Sequence, residues 1–314
     1  MPNWCANRLT FSGIQHNTDD LRTWIKGEKS SLPGRAKREG IQLFLAGCAG
    51  LLRPETALVY TPCPALTAHG VATESTPASR AFTRWLTLFI AGAALNTDTC
   101  QTLHQCWLDS GIRDARWQRL DEYATSVTER LYRQKSCDWS DIFRPQDPES
   151  WWNTLCDGDD DDDDGQGEPM DFRLVLPTRL DIEVNGFNGG LLDGVPSSYS
   201  HYISQYGCKW PVGYDMNISF DGDTTLTVDF DTPWSPVNED VVAALSARYG
   251  AEVEHWYAEQ GCGYCGYGRY LDGEITGQLS ASLEWGEPDP EDEDGCPDVT
   301  GPDWIINNIA HFGG

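Results

Sequence analysis

The chain has 314 residues, of which 49 are acidic and 22 are Lys or Arg, giving a net charge of −27 and a pI near 4.3. Its 39% hydrophobic and 11% aromatic content is enough for a folded core, which excludes a fully disordered chain. The negative charge argues against direct binding to DNA, RNA or anionic lipid, because those partners need Lys and Arg to displace their counterions.

The first forty residues predict a strand, a short helix and a linker. Residues 4–12 are aromatic and β-prone with a rough alternation, and Gly13 ends this strand. A helix follows from residue 17 or 18 to about Lys26, with apolar residues at helical spacing. Residues 26–40 are polar and hold a small basic cluster, which we interpret as a solvated linker, the alternative being a patch that binds nucleic acid or another anion.

The periodicity of residues 40–152 is helical. Amphipathic segments cover residues 41–46, 81–95, 99–108 and 117–132, and a loop rich in Pro and Thr spans 54–77. The aromatic residues recur at spacings of three and four, as expected of a core. This block predicts a small helical domain.

An acidic break follows, with an unbroken aspartate run at residues 159–164 flanked by glycines. Like charges at this density predict a flexible linker over residues 157–170. The break also divides the charge: residues 1–156 hold 17 basic and 16 acidic side chains, whereas residues 157–314 hold 5 and 33. We interpret the acidic half as having an electrostatic role, and solubility alone is the alternative.

After the break, apolar and polar residues alternate with a period of two. Strands are predicted over residues 172–176, 179–184, 215–220, 226–230, 253–259, 264–271 and 273–283. One helix is predicted over residues 239–248, with Asn238 as its N-terminal cap and Gly250 as its C-terminal stop. This succession predicts an α+β fold with a ferredoxin-like antiparallel sheet.

Four segments of the chain look familiar: Met1–Arg8, Gly207–Trp210, Phe230–Pro236 and Tyr257–Gly261. In this order they resemble the YubB-type family of plasmid- and phage-borne proteins, which contain a ferredoxin-like domain. The resemblance implies that strand 4–12 joins the sheet formed by residues 171–285. It therefore implies a ferredoxin-like domain of residues 1–27 and 171–314, a helical insertion of residues 28–156 and an acidic linker of residues 157–170. The family offers no catalytic motif to carry over.

Metal sites are weakly indicated at two places. Cys262 and Cys265 have the spacing that binds zinc, with His255 and Cys5 as further ligands. We favour ordinary thiols here, because the pair sits at a tight turn and points to different faces, and no helix follows that would make a redox dithiol.

A calcium loop is the second weak indication. The residues that match its pattern are Asp160, Asp162, Asp164, Gly165 and Asp171. Any run of aspartates followed by glycine fits this pattern, and Pro169 lies inside the loop. We therefore expect no cofactor, with zinc or calcium as the alternative.

Enzymatic motifs are lacking in the sequence. None of its six histidines lies in a recognisable catalytic signature, and GKS/T does not occur. We therefore favour a protein without catalytic activity. The alternatives are an enzyme, hydrolytic or nucleotide-directed, with its site between the two domains, and a zinc-stabilised scaffold.

Two kinds of side chain are the candidate partner-binding residues. The acidic candidates are Asp159, Asp160, Asp161, Asp162, Asp163, Asp164, Glu291, Asp292, Glu293 and Asp294. Carboxylates spaced like phosphates can occupy the basic groove of a nucleic-acid-binding protein, as a DNA mimic does. The aromatic candidates, of the types that anchor interfaces, are Trp210, Trp234, Trp256, Tyr264 and Tyr267.

The sequence thus predicts a mobile-element protein that binds and inhibits a host defence or nucleic-acid-handling protein, without binding nucleic acid or membranes itself. Eleven scattered cysteines and a start that lacks a signal peptide predict reduced thiols in a cytoplasmic protein. No apolar stretch approaches the ~20 residues that span a bilayer.

Overall fold

The structure is a computed structural model that describes residues 3–14, 18–29, 31–140, 146–158, 167–221, 224–286 and 298–314. The chain forms two compact units. We call residues 1–29, 167–176 and 202–314 the sheet unit, and residues 30–166 and 177–201 the helical unit.

The strands of the described residues are β1 Trp4–Ser12, β2 Tyr214–Asp221, β3 Thr225–Pro233, β4 Glu252–Glu259, β5 Tyr264–Leu271, β6 Glu274–Ser282, β7 Glu284–Trp285 and β8 Val299–Thr300. Six of them form an antiparallel sheet in the order β2-β3-β1-β4-β5-β6, and β7 pairs with β8. The first strand lies between β3 and β4, which confirms that it joins the sheet of the C-terminal half. The order β2-β3-β1-β4 is that of a ferredoxin-like fold, so the predicted fold class is confirmed.

The helices of the described residues are α1 Thr18–Ile25, α2 Leu32–Cys48, α3 Pro77–Ile90, α4 Thr97–Ser110, α5 Glu122–Trp139, α6 Pro148–Asp157, α7 Leu180–Asn185, α8 Ser198–Tyr206, α9 Glu239–Tyr249 and α10 Asp303–Ile306. Short 3₁₀ turns at Pro64–Thr67, Ile112–Asp114, Trp117–Arg119 and Phe172–Leu174 connect some of them. The predicted helical block is confirmed by α2 to α6.

The core of the sheet unit lies on one face of the sheet. In β1, Leu9 and Phe11 are buried while Arg8 and Thr10 are only half-buried, as the alternation of a strand requires. Apolar side chains of α1 and α9 pack on this face. Helix α9 ends at Gly250, whose φ of +56° is the left-handed conformation that glycine adopts without strain. Asn238 occupies the N-terminal cap position, as predicted, but its side chain makes no capping hydrogen bond.

The core of the helical unit is built around α2 and α3. Phe82, Trp85 and Phe89 lie along α3, are fully buried and stack in succession, with ring centroids 5.6 and 4.9 Å apart. Packing of this kind contributes burial of large apolar area together with aromatic stacking. The interpretation of these aromatic residues as core is confirmed.

Three predicted elements are wrong. Residues 172–176 hold a 3₁₀ turn rather than a strand, and residues 179–184 form α7 within the helical unit rather than a strand of the ferredoxin-like part. Apolar and acidic residues alternate over Leu180–Val184, as in a strand with one exposed face, yet all of these residues are buried. Residues 26–40 are a linker only in part, because α2 begins at Leu32, where the Ser31 hydroxyl accepts a hydrogen bond from Gly34 N at 3.2 Å.

Candidate partner-binding surface

One end of the sheet brings together several aromatic side chains. Trp4 begins β1 opposite Pro233, and Tyr214 begins β2 opposite Asp231. The first residues of both strands therefore lie at the same end of the sheet. The ring centroids of Trp4 and Tyr214 are 5.0 Å apart, and those of Tyr214 and Trp210 are 6.3 Å apart. The strand register therefore assembles a continuous row of rings from residues far apart in the sequence.

A lysine extends this row to a further tryptophan. Lys209 Nζ lies 4.2 Å from the ring centroid of Trp210 and 5.7 Å from that of Trp234. Both distances are within the range of a cation–π interaction, worth about 0.5–1 kcal/mol at an exposed site. We call Trp4, Lys209, Trp210, Tyr214 and Trp234 the aromatic patch. Trp210 and Trp234 are 37% and 49% exposed, so the patch offers apolar area to a partner.

The backbone holds Trp234 in an unfavourable conformation. Its φ is +75°, a region that bulky side chains rarely enter. Its N–H donates to Asn3 O at 2.9 Å, and its carbonyl accepts from the Tyr264 hydroxyl at 3.0 Å. Backbone strain of this kind persists only where the surroundings enforce it, and it clusters at functional sites. The backbone conformation of Trp234 thus lowers the stability of the fold, while the side chain remains exposed.

Carboxylates surround this end of the sheet. Asp231 Oδ1 lies 3.1 Å from His311 Nε2. The pKa of His311 is raised by its contact with Asp231 and by the negative charges of Asp231, Asp229 and Asp215. The electrostatic potential at the His311 imidazole is therefore negative.

The whole sheet unit is acidic, with 8 Lys and Arg side chains against 26 Asp and Glu. All eight cationic side chains, each at a described position, already contact a carboxylate or an aromatic ring. The pairs are Arg8 with Asp229, Arg22 with the Phe220 ring, Lys26 with Glu28, Lys29 and Arg248 with Asp20, Arg173 with Asp171, Lys209 with Trp210, and Arg269 with Glu252. The unit therefore carries a net negative charge, which attracts cations and repels anions.

The other predicted aromatic anchors have different surroundings. Trp256 packs on Tyr267 at 5.2 Å between ring centroids and belongs to a small buried cluster with Ile305. The Tyr267 hydroxyl donates to Glu254 Oε1 at 2.6 Å. Tyr264 supports the backbone of Trp234. The structure therefore brings Trp210, Trp234 and Tyr264 together, whereas Trp256 and Tyr267 pack on each other.

The predicted acidic anchors at residues 159–164 and 291–294 lie outside the described residues. The same holds for most of the predicted calcium loop. Asp171, its last member, forms a bidentate pair with Arg173, with N···O distances of 2.8 and 2.9 Å.

Cys262 lies in the turn between β4 and β5, as predicted, whereas Cys265 is the second residue of β5. Hydrogen bonding to Glu259 raises the pKa of the exposed Cys262 thiol, and burial raises the pKa of Cys265. Raised pKa values disfavour the thiolates that bind zinc. His255, a further predicted ligand, is hydrogen-bonded to Asn7 at 3.0 Å. No three His, Cys, Asp or Glu side chains within the described ranges are grouped so as to hold a metal ion.

A cleft of about 440 Å³ opens beside β4 and β5 in the sheet unit, lined by His255, Tyr257, Tyr270 and Gln278 among others. Complete burial lowers the pKa of His255 to about 3, so its imidazole is neutral and a poor general base. The cleft therefore offers shape and hydrogen-bonding groups rather than an activated catalytic histidine.

Four members of this surface are not among the predicted anchors: Trp4, Lys209, Tyr214 and His311. Trp4 and Tyr214 meet only through the pairing of distant strands, and His311 reaches Asp231 from the C-terminal segment. The adjacent Lys209 and Trp210 offered the one local signal, since a lysine beside an exposed tryptophan is a candidate cation–π pair.

The sheet order defines the class of this molecule: a ferredoxin-like α+β protein with a large helical unit. The chain belongs to the family described as "Protein of unknown function (DUF1281)", whose model matches residues 33–210. A second model, described as "Ferredoxin-like domain in Api92-like protein", matches residues 213–299.

Relatives and a solved structure agree with this assignment. The chain is 55% identical over 146 residues to the uncharacterised Escherichia coli K12 protein YubB, covering 46% of this chain and 99% of YubB. It is 44% identical over 157 residues to the uncharacterised E. coli K12 protein YubA, covering 50% of this chain and 93% of YubA. The crystal structure of Api92 from Yersinia pseudotuberculosis has a TM-score of 0.80 and 32% identity, covering 90% of this chain and 99% of Api92.

No helix among the described residues combines the length and the apolar character needed to cross a bilayer.

Proposed function

We propose that this protein is a binding module of a plasmid or phage, without catalytic activity, that occupies the cationic surface of a host nucleic-acid-handling or defence protein and so inhibits it. The observation that carries this proposal is the aromatic patch on a unit whose cationic side chains are all internally engaged. The patch supplies hot-spot residues, and the surrounding carboxylates supply complementarity to Lys and Arg.

The surface acts as a DNA mimic in this proposal. A groove that binds phosphates is lined by Lys and Arg, and a rigid sheet that presents carboxylates competes for those side chains. The acidic segments 159–164 and 291–294 add ten carboxylates to the same chain. Ten free cysteines among the described residues support action in a reducing compartment such as the cytoplasm.

The test is capture of host proteins by the tagged full-length chain at low and high salt. We expect a DNA- or RNA-binding protein to be retained at low salt and lost at high salt. Neutralising residues 159–164 and 291–294 to amides should reduce its retention, whereas neutralising the exposed Asp98, Asp109 and Glu122, which belong to neither acidic segment, should not. If the two neutralised variants retained the nucleic-acid-binding protein equally well, the electrostatic part of the proposal would be contradicted.

The aromatic part is tested separately on the purified partner. Trp234→Ala should weaken binding by at least about tenfold, as expected of a hot spot. Trp285→Ala is the matched control, because Trp285 is also 49% exposed but lies in β7 outside the patch. Nucleic acid added in excess should displace the protein from its partner. Simultaneous binding of both would refute the mimicry and leave only the protein–protein contact.

A further inference from the structure

The cleft of about 440 Å³ in the sheet unit has polar side chains on both sides of a glycine. Its lining includes His255 of β4, Gly268 of β5 and Gln278 of β6. In the sheet register Gly268 lies directly opposite both His255 and Gln278, so the two side chains lie on the same face of the sheet. The strands thus place an imidazole and an amide on either side of a position that has no side chain.

Two tyrosine rings of the cleft lie over glycines of β5. A Cβ at Gly268 would lie 2.8 Å from Tyr270 Oη, and a Cβ at Gly266 would lie 2.2 Å from Tyr257 Oη. The rings therefore occupy the space that side chains at the two glycine positions would fill. Both tyrosines line the cleft, so they supply aromatic surface to a group that enters it.

The hydrogen bonds of Asn7 determine the tautomer of His255. The Asn7 amide nitrogen donates to the Cys5 carbonyl and to the Thr232 hydroxyl, each at 2.8 Å. A carbonyl only accepts, so the atom 3.0 Å from His255 Nε2 is the Asn7 oxygen, and Nε2 donates to it. The neutral imidazole therefore keeps a lone pair at Nδ1. Nδ1 has no hydrogen-bond partner among the described residues and is not fully buried, so a donor in the cleft can reach it.

A carboxylate completes the lining of the cleft. Glu239 lies in the first turn of α9 and is exposed. Burial, followed by the negative charge of Glu239, raises the pKa of Tyr270 to about 12. The carboxylate and the imidazole lone pair both accept hydrogen bonds and both disfavour an anion. The cleft therefore suits a cationic ligand that is rich in N–H donors and flat enough to stack on a tyrosine ring.

A guanidinium group has all of these properties. It is planar and always charged, carries several N–H donors and stacks on aromatic rings, whereas the ammonium group of lysine is compact and strongly hydrated. A nucleobase is flat and offers an amino group, but it gains nothing from the charge of Glu239. The cleft also adjoins the aromatic patch, because Ser235 and Pro236 line it and follow Trp234 directly in the chain.

We propose that this cleft is the binding site for an arginine side chain of the cationic partner, with the guanidinium donating to His255 Nδ1 and to the Glu239 carboxylate. The Gln278 amide oxygen is a further acceptor, and the tyrosine rings offer their faces to the cation. The source of the arginine rests on the proposed function. The capacity of the cleft to bind a guanidinium group does not depend on it.

The first experiment titrates the full-length protein with N-acetyl-arginine methylamide and follows the Nδ1 resonance of His255 by NMR. We expect this resonance to shift and to saturate with a dissociation constant on the order of 1 mM, as is reasonable for a single side chain. N-acetyl-lysine methylamide and adenosine should bind at least about fivefold more weakly. No shift at His255, or equal affinity for the arginine and lysine derivatives, would overturn the proposal. Tighter binding of adenosine would also overturn it and would assign the cleft to a nucleoside.

The second experiment repeats the titration with two exposed substitutions in the cleft and two matched controls. Glu239→Gln and Gln278→Ala should each weaken binding of the arginine derivative by about threefold, as expected for one exposed polar contact. Asp240→Asn and Ser280→Ala are exposed changes on the same elements, at positions that do not line the cleft in the described part of the chain. Both should stay within about 1.5-fold of the wild type. Equal weakening by the controls would contradict binding in the cleft.

The partner is then tested separately, so that the two proposals fail in different ways. If the arginine derivative does not bind but a cationic partner is captured, this inference is lost and the proposed function remains. If the derivative binds as expected but no cationic partner is captured, the proposed function is lost and the cleft remains a guanidinium site. With both in hand, Glu239→Gln should weaken partner binding by about the same threefold factor. Unchanged partner binding would refute insertion of a partner arginine.

Discussion

Trp234 allows backbone strain and binding to be separated by substitution. An L side chain in the left-handed region costs about 1–2 kcal/mol relative to glycine. The half-buried ring contributes about 1 kcal/mol through its packing and about 0.5 kcal/mol through Lys209. Trp234→Ala loses both contributions and keeps the strain, so its free energy of unfolding should fall by about 1.5 kcal/mol.

Trp234→Gly loses the same contacts but releases the strain. Its stability should therefore be close to that of the wild type and about 1 kcal/mol above that of Trp234→Ala. Trp285 provides the reverse case, because it lies in β7 with a negative φ. There glycine should be less stable than alanine by about 0.5–1 kcal/mol.

Urea unfolding followed by circular dichroism measures these differences, provided that the m-value is unchanged among the variants. The decisive result is the sign of the difference between glycine and alanine at each position. If Trp234→Gly is less stable than Trp234→Ala, the conformation at residue 234 is unstrained and the argument for a functional role of the strain is lost. Partner binding should be weakened by both substitutions at residue 234.

Two further predictions concern the sheet unit. His311 should titrate above its usual range in an NMR experiment, and Asp231→Asn should lower its pKa. Because the folded-state pKa is raised, this histidine stabilises the fold below its unfolded pKa of about 6.5, and the contribution should disappear as the pH rises through the folded value. Gly266→Ala should cost about 1–3 kcal/mol by thermal unfolding, because its Cβ would lie 2.1 Å from Tyr257 Cζ. Gly277→Ala, whose Cβ would meet its nearest atom at 3.8 Å, should stay within about 0.5 kcal/mol and serves as the control.

The sequence predicted the elements whose local pattern and tertiary burial agree. Strand 4–12 and the hairpin over 253–271 are rich in β-prone residues and alternate roughly, and Gly250 marks the end of α9. Residues 180–184 also alternate, but there the acidic side chains are buried with partners. Asp181 pairs with Arg179 at 2.5 Å, and Glu183 accepts from Thr178 at 2.9 Å. Alternation therefore indicated a strand where tertiary contacts stabilise a helix.

The candidate site was predictable only as a set of residue types. Tryptophans and an acidic half are visible in the sequence, so Trp210 and Trp234 could be named, but the buried Trp256 was named by the same reasoning. The placement of Trp4 beside Tyr214 depends on strand register, and the positive φ of Trp234 depends on contacts with Asn3 and Tyr264. Neither is encoded within a local window of sequence.

The division between charge and aromatic area has a kinetic consequence for the proposed binding. Long-range attraction between carboxylates and a cationic partner accelerates encounter and is screened over about 8–10 Å at physiological salt. Contacts of Trp210 and Trp234 form only after docking, so they determine how long the complex lasts. Salt should therefore lower the association rate with little change in dissociation, whereas Trp234→Ala should raise the dissociation rate with little change in association. Surface plasmon resonance resolves the two rates, and an effect of salt on dissociation alone would assign the carboxylates to the buried contact rather than to its approach.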